Sequence, residues 1–215
     1  MSYQNPLTIV IPFVSLLCLW SGQAFAAGSA SAAEDVDPIK VGESLPPIVL
    51  VSSKGEPVNL NEAVKESPTL LIFYRGGWCP YCNTHLGKLK ALEQPLKALG
   101  LQIIAISPDL PKYLAESEAK HKMDYRLLSD ADMKASMALG LAFKVDEATR
   151  EKYQNYGIDL VKASGHDHYL LPVPAAIMVD TKGRVRYRYY NPDYKVRVDN
   201  DKLLNAAKAL VNSAP

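Results

Sequence analysis

A short apolar segment, a diglycine and a Cys-x-x-Cys pair stand in direct succession, and this order constrains the fold more than any other feature of the chain. Residues 69–74 are a run of aliphatic and aromatic side chains that ends at Gly76-Gly77, which predicts a buried strand and a turn. From Pro80 to Leu99, leucines recur at three- and four-residue spacing. This spacing predicts an amphipathic helix that ends at Gly100 and is kinked at Pro95. A strand that leads so directly into a helix is typical of an α/β domain.

Strand and helix patterns continue to alternate along the rest of the chain. Residues 181–183 are a turn between the last two predicted strands, which therefore form a hairpin. The sequence thus predicts an α/β fold with a central mixed sheet and helices on both faces. The further predicted strands are 101–107, 125–128, 175–180 and 184–190, and the further predicted helices are 111–122 and 199–211.

The first 26 residues contain no Lys, Arg, Asp or Glu. An apolar run over residues 7–20 is followed by Ala24-Phe25-Ala26, which predicts a cleaved signal peptide over residues 1–26 and a protein exported to the periplasm or secreted. Two alternatives stay open. An uncleaved anchor would need about 20 apolar residues, and a lipoprotein modified at Cys18 would need a small residue where Leu17 stands.

Composition changes again after the predicted cleavage site. Residues 27–40 are rich in Ala, Ser, Gly and acidic side chains, which predicts a flexible tether before one domain over residues 41–211. The 24 Lys and Arg nearly balance the 23 Asp and Glu, which argues against a nucleic-acid partner or a membrane-surface partner for the mature chain. Nothing in the pattern indicates the oligomeric state.

Cleavage at this site would leave Cys79 and Cys82 as the cysteines of the mature chain, with both sulfurs on one helical turn. If Cys79 is the N-cap and Pro80 the first helical residue, backbone amides at the helix start lower the pKa of Cys79 below about 8.5. Cys82, one turn inside the helix, keeps a higher pKa. We therefore predict that Cys79 attacks an oxidised sulfur or a peroxide oxygen. Cys82 then closes a disulfide, which an external thiol reopens.

Four neighbouring side chains are candidates for supporting roles. Trp78 and Tyr81 are predicted to wall the site, although plain packing explains Trp78 equally well. Arg75 is a candidate for stabilising the thiolate, with a solvated loop charge as the other interpretation. His85, one turn after Cys82, is interpreted as an exposed helix histidine, with a proton shuttle as the alternative.

A zinc site also uses Cys-x-x-Cys, but tetrahedral closure needs about two further Cys or His ligands. His166 and His168 are spaced unlike the usual zinc pairs, and a polar connection is the simpler interpretation of that loop. We predict no metal and no cofactor. A non-catalytic metal-binding or interaction module is kept as a further alternative.

The segment Leu71–Cys82, LIFYRGGWCPYC, resembles the thioredoxin superfamily, and most closely its peroxiredoxin-like members, the alkyl hydroperoxide reductase or thiol-specific antioxidant proteins. The resemblance runs over residues 41–211, with a second match at Val173-Pro174-Ala175. It implies a thioredoxin-like fold, a redox-active disulfide and a role in cell redox homeostasis. It also implies a cis-proline at Pro174, packed beside the cysteine pair.

Departures from the family pattern bear on the choice between two activities, disulfide exchange and peroxide reduction. Ordinary peroxiredoxins place a proline and a threonine seven and three residues before the attacking cysteine, and an arginine just before the late strand. With Cys82 in the attacking place, those positions hold Arg75, Cys79 and Pro174, so the usual donors of a peroxide pocket are missing. The buried acid of thioredoxin falls on Phe73 here, and proton transfer from Cys82 would need water or another base.

The leading prediction is therefore an exported thiol-disulfide oxidoreductase. Its expected partners are a thiol or disulfide protein or a small-thiol reductant. A thiol-dependent hydroperoxide reductase, a peroxiredoxin-like antioxidant protein, is the alternative.

Overall fold

The computed structural model describes residue 1 and residues 28–212, and a mixed β-sheet runs through the centre of this part of the chain. The strands are β1 (Val49–Ser52), β2 (Pro57–Asn59), β3 (Thr69–Phe73), β4 (Gln102–Ser107), β5 (Arg126–Ser129), β6 (Ala142–Lys144), β7 (Leu170–Pro172), β8 (Ala175–Val179) and β9 (Val185–Tyr190). The helices are α1 (Leu60–Glu66), α2 (Pro80–Leu89), α3 (Glu93–Ala98), α4 (Pro111–His121), α5 (Lys134–Ala138), α6 (Glu147–Asn155), α7 (Leu160–Ser164) and α8 (Asn200–Asn212).

Within the described residues, seven strands pair in the order β2-β1-β5-β4-β3-β8-β9. The central strands β3, β4 and β5 are parallel, and the outer pairs are antiparallel. Strands β6 and β7 form a separate antiparallel pair. The predicted hairpin is confirmed, since β8 and β9 pair directly.

The buried strand β3 divides the core between the two faces of the sheet. Leu70 and Ile72 pack with helices α2, α4 and α8, in the cluster that also holds both cysteines. Leu71 and Phe73 point to the other face, where they pack with α1 and α5. Successive side chains of a strand point to opposite faces, so a run that is apolar throughout is covered on both sides. The predicted mixed sheet with helices on both faces is confirmed.

The predicted kinked helix over residues 80–99 is instead two helices. Helix α2 ends at Leu89, a turn of 3-10 helix covers Lys90–Leu92, and α3 follows. The break precedes Pro95 because the proline ring clashes with the carbonyl four residues earlier, at Ala91.

The segment predicted as a flexible tether lies against the domain from Ala30 onward. The Ala30 N–H donates to the Ala142 carbonyl at 2.8 Å, and the Ala30 carbonyl accepts from Lys144 at 2.9 Å. Ile39 is 2% exposed and donates its N–H to the Leu139 carbonyl. The tether prediction is therefore wrong for residues 30–39, since a few apolar side chains suffice to bury a segment that shows no periodicity.

Apart from Met1, the predicted signal peptide lies outside the described residues, as does Cys18. Between residues 28 and 212, no helix has the length and apolar character needed to cross a membrane.

Candidate active site

The loop between β3 and α2 presents the cysteine pair. Cys79 is the N-cap of α2, with φ −89° and ψ 114°, and Pro80 occupies the first helical position. Gly76 has φ +142°, and a Cβ there would lie 2.8 Å from Asp109 Oδ1 and would also collide with Trp78. Only glycine therefore fits at this position.

Both sulfurs are free thiols, and both are buried: Cys79 is 2% exposed and Cys82 0%. The Cys82 thiol donates to the sulfur of Cys79, and this bond is the main reason that the pKa of Cys79 falls to about 6. Burial opposes the shift, while the Cys82 N–H and two arginines add to it. The same thiol–sulfur bond and burial raise the pKa of Cys82. The directions are those expected from the sequence, although the main cause is the partner thiol and not the helix start alone.

Arg75 is buried at 3% exposure, so its interpretation as a solvated loop charge is wrong. Its guanidinium carbon lies 5.2 Å from the ring centre of Trp78, 5.3 Å from that of Tyr153 and 4.1 Å from that of Tyr194. It also donates a hydrogen bond to the Tyr153 hydroxyl. These three rings hold the cation close enough to Cys79 to lower the pKa of that thiol.

A second arginine, Arg197, reaches the pair from the segment between β9 and α8. Its Nη2 donates to Cys82 Sγ at 3.4 Å, and its Nη1 donates to the carbonyls of Tyr194 and Val196. Sequence reasoning missed this residue, since nothing near Arg197 in the sequence signals a contact 115 positions away.

His85 is buried at 5% exposure, so the prediction of an exposed helix histidine is wrong. Burial lowers the pKa of His85 to about 4, and the charges of Arg197 and Lys88 lower it further. Its Nε2 has no hydrogen-bond partner among the described residues. The imidazole is therefore neutral at physiological pH.

The two aromatic side chains of the motif differ in exposure. Trp78 is half-buried, with its ring 5.8 Å from that of Tyr153. Tyr81 is 45% exposed and meets Tyr194 edge to face at 5.7 Å. Both stand at the site as predicted, and their roles there stay predictions.

Pro174 is buried just before β8 and shares a cavity of about 280 Å³ with Arg75 and Tyr153. The expectation of a cis bond is wrong, because the described residues contain no cis peptide bond. The Val173 N–H donates to Leu141, and the Pro174 carbonyl accepts from Asn191.

A buried acid, Asp109, is the main residue that sequence reasoning missed. It follows β4 and is 2% exposed, and its Oδ2 accepts from the Gly77 N–H at 2.7 Å and from Ser107 Oγ at 3.0 Å. Burial raises the pKa of Asp109 to about 6, against the effect of these hydrogen bonds. Asp109 borders a cavity of about 350 Å³ together with Trp78 and Ser117. The available signal was its position at the carboxyl end of the strand next to β3, where α/β sheets place their sites.

No group of three or more His, Cys, Asp or Glu side chains suited to a metal ion occurs in the part of the chain that the structure describes. His166 and His168 stack with their ring centres 5.8 Å apart. His168 is occupied by the backbone, since its ring nitrogens contact the Ala131 carbonyl and the Leu170 N–H.

The model of the AhpC/TSA family matches residues 41–188. The chain belongs to this family. A 106-residue segment is 31% identical to "Putative peroxiredoxin bcp" of Haemophilus influenzae, covering 49% of this chain and 68% of that protein. Over the same length it is 29% identical to peroxiredoxin Bcp of Escherichia coli K12, of which it covers 67%.

Solved structures show the same fold. Peroxidoxin BcpB from Mycobacterium tuberculosis has a TM-score of 0.62 at 20% identity, over 80% of this chain and 98% of that one. Reduced Prx3 from Vibrio vulnificus, in complex with H2O2, has a TM-score of 0.64 at 20% identity, over 79% and 96%. The predicted resemblance is confirmed, and the AhpC/TSA protein is a thioredoxin-fold, peroxiredoxin-like oxidoreductase.

Proposed function

We propose that the protein is a thiol-dependent hydroperoxide reductase in which Cys79 and Cys82 cycle between dithiol and disulfide. The observation that carries the proposal is the contact between the two thiols, which lowers the pKa of Cys79 to about 6. At neutral pH most of Cys79 is then in the nucleophilic form. Membership of the AhpC/TSA family favours a peroxide as the oxidant, and this reverses the order of the two activities expected from the sequence.

The chemistry follows from the two sulfurs. The Cys79 thiolate attacks one peroxide oxygen, the O–O bond breaks, and the leaving alkoxide takes up a proton to become an alcohol or water. Cys79 is now a sulfenic acid. The sulfur of Cys82 attacks it, the S–O bond breaks, and a disulfide and water form. A small thiol then supplies two electrons to restore both thiols.

Positive charge around the sulfurs takes the place of the family's usual pocket donors. Arg75 stands four residues before Cys79, and its cation lies among three aromatic rings near that sulfur. Arg197 contacts Cys82 directly. Both charges stabilise a thiolate and the negative charge that develops on the leaving oxygen.

Thiol-disulfide exchange is the second candidate, because Cys79 caps a helix and shares one turn with Cys82. The burial of both sulfurs argues for the first candidate. A hydroperoxide is small enough to reach a thiol that is 2% exposed, whereas a disulfide on another protein needs the attacking sulfur at the surface.

We also propose that the chain is exported to the periplasm or secreted. The uncharged first 26 residues and Ala24-Phe25-Ala26 support this. Mass analysis of the protein from an expressing cell tests it: a mature chain that begins at Ala27 supports cleavage. A lipid on Cys18 would replace cleavage after Ala26 by export as a lipoprotein, and an intact first residue overturns the proposal.

Peroxide consumption by the reduced protein and its two single variants tests the proposed reaction. Wild type should consume one equivalent of hydroperoxide and lose two thiols. Cys82→Ser should also react once but stop at a sulfenic acid, which a dimedone probe captures, and Cys79→Ser should not react.

Two results would overturn this proposal. If wild type reduces insulin but leaves hydroperoxides untouched, disulfide exchange is the activity. If Cys79→Ser forms the sulfenic acid and Cys82→Ser does not, the roles of the two sulfurs are reversed.

A further inference from the structure

Residues 30–39 precede the part of the chain that the AhpC/TSA model matches, and they are fixed to the domain at both ends. At one end, the Ala30 N–H donates to the Ala142 carbonyl at 2.8 Å. At the other, Ile39 is buried, and its N–H and its carbonyl are both hydrogen-bonded to the domain. The residues between these two anchors therefore have a defined position on the domain.

The segment between the anchors lines the 280 Å³ cavity that also contains Arg75 and Pro174. Pockets for drug-sized ligands measure about 300–1,000 Å³, so this cavity suits a smaller molecule. Much of its wall is apolar, formed by Ala32, Ala33, Phe143 and Val145. Three exposed charged side chains also border it: Glu34, Lys144 and Asp146.

Arg75 gives this apolar cavity a polar end. Its side chain is 3% exposed, and one guanidinium nitrogen donates to the Tyr153 hydroxyl. Its Nε has no hydrogen-bond partner in the part of the chain that the structure describes. A buried donor without an acceptor is costly, and a ligand oxygen that accepts a hydrogen bond here would remove that cost.

The cavity adjoins the loop that carries the attacking sulfur. The Cys79 N–H donates to the Gly76 carbonyl at 3.1 Å, which closes a turn directly after Arg75. The ring of Tyr194 lies 4.1 Å from the guanidinium carbon of Arg75 and 5.7 Å from the ring of Tyr81, so it spans the two sides of this loop. A peroxide oxygen bound at Arg75 therefore lies beside the loop of Cys79.

We propose that this cavity holds the organic group of a small hydroperoxide, and that Ala32 and Ala33 set the largest group it admits. This inference rests on the proposed function. The peroxide end accepts a hydrogen bond from Arg75, and the apolar group packs against the segment. Because that segment lies before the region matched by the family, the size limit is a property of this chain and does not follow from its family.

Ala33→Leu tests the size limit, because a branched side chain replaces a methyl group in the cavity wall. The second-order rate constant for oxidation of reduced Cys79 is measured by stopped-flow fluorescence of Trp78, with hydrogen peroxide and with cumene hydroperoxide. We expect the rate with cumene hydroperoxide to fall by at least about tenfold. The rate with hydrogen peroxide should stay at the wild-type value, since it has no organic group to place.

Ala148→Leu is the matched control. It is the same substitution at an exposed position of α6, a helix that borders the cavity, but Ala148 does not line the cavity. This variant should keep the wild-type ratio of the two rates. If it lowers the ratio as much as Ala33→Leu does, the effect is not specific to the cavity wall and the proposal is overturned.

Ala30→Pro changes the cavity in the opposite direction. Proline has no N–H, so the hydrogen bond to Ala142 is lost and one anchor of the segment is loosened, while no cavity-lining side chain is altered. We expect this variant to react faster than wild type with a fatty-acid hydroperoxide, whose chain is too long for the closed cavity. It should react with hydrogen peroxide at the wild-type rate.

The two variants separate the cavity from the reaction itself. An unchanged or raised ratio in Ala33→Leu, with a wild type that reduces hydroperoxides, overturns the size limit and leaves the proposed function standing. If Ala33→Leu does not fold, Ala30→Pro decides, and a wild-type rate with the fatty-acid hydroperoxide overturns the proposal. A wild type that consumes no hydroperoxide overturns both the size limit and the proposed function.

Discussion

Two neighbouring strands of the sheet, β4 and β5, each lead into a buried aspartate. The two aspartates form hydrogen bonds with different parts of the chain. Asp109 and Asp130 are equally buried, and burial raises the pKa of each to about 6. Asp130 binds the start of α5 through Ala135 and Ser136. Asp109 binds the loop that carries the cysteines through Gly77, and it borders a cavity.

The comparison shows that neither burial nor a raised pKa identifies a functional acid. Perturbed carboxyls occur at structural and at functional positions alike. What separates Asp109 from Asp130 is the part of the chain that each binds: the loop that leads into the cysteine pair in one case, and the start of a helix in the other.

The largest expected effect on stability is that of Gly76→Ala, and it tests whether Asp109 packs against the loop that carries the cysteines. The new Cβ would lie 2.3 Å from Trp78 Nε1 and 2.8 Å from Asp109 Oδ1, and φ at this position is +142°. We expect a loss of about 3–5 kcal/mol in the free energy of unfolding, measured with urea, because strain and steric overlap add.

Gly183→Ala is the control for the backbone strain alone. Its φ is +76° and nothing lies within 4 Å of the new Cβ, so a loss of about 1 kcal/mol is expected. Equal losses at the two glycines would show that the side chains of Trp78 and Asp109 do not fill the space beside Gly76.

A second effect concerns pH, and here the two aspartates should behave alike. Each has a folded-state pKa of about 6, above the ordinary 3.8, so the folded protein binds more protons than the unfolded one between these values. The stability that each carboxyl contributes below pH 3.8 is therefore lost as pH rises towards 6. Relative to wild type, Asp109→Asn and Asp130→Asn should each lose more stability at pH 4 than at pH 7, by up to about 3 kcal/mol.

Urea unfolding at the two pH values measures this difference, with Glu56→Gln at an exposed side chain as the control. A difference for Asp130 but none for Asp109 would mean that the Asp109 carboxyl is already well solvated through the cavity. Burial would then destabilise the ionised carboxyl of Asp130 but not that of Asp109.

The two halves of the site were not equally accessible to prediction. Strand β3, the start of α2 and the pair Cys79 and Cys82 are encoded by adjacent residues, so the local pattern was enough. Asp109 and Arg197 come to the site through strand pairing and through the segment before α8, and no local pattern reports such contacts.

The local sequence pattern also did not indicate which of the predicted residues are buried. Arg75 is a polar residue in a glycine-rich loop, and it is buried only because Tyr153 of α6 and Tyr194 cover it. His85 is enclosed in the same way by the segment that carries Arg197. Whether a charged side chain is solvated depends on which distant elements pack over it, and short-range periodicity does not contain that information.

The smallest effect that would sharpen the comparison is the difference in stability between the two Asn variants at pH 7. Asp130 accepts three hydrogen bonds of 2.6–2.8 Å, whereas Asp109 accepts two, at 2.7 and 3.0 Å. Asp130→Asn should therefore be the less stable variant by about 1–2 kcal/mol, since an amide oxygen replaces an ionised acceptor for one more donor. Urea unfolding measures both. If Asp109→Asn is the less stable variant, the number of hydrogen bonds does not decide what each carboxyl contributes, and the two bonds from Gly77 and Ser107 stabilise the fold more than the three that Asp130 accepts.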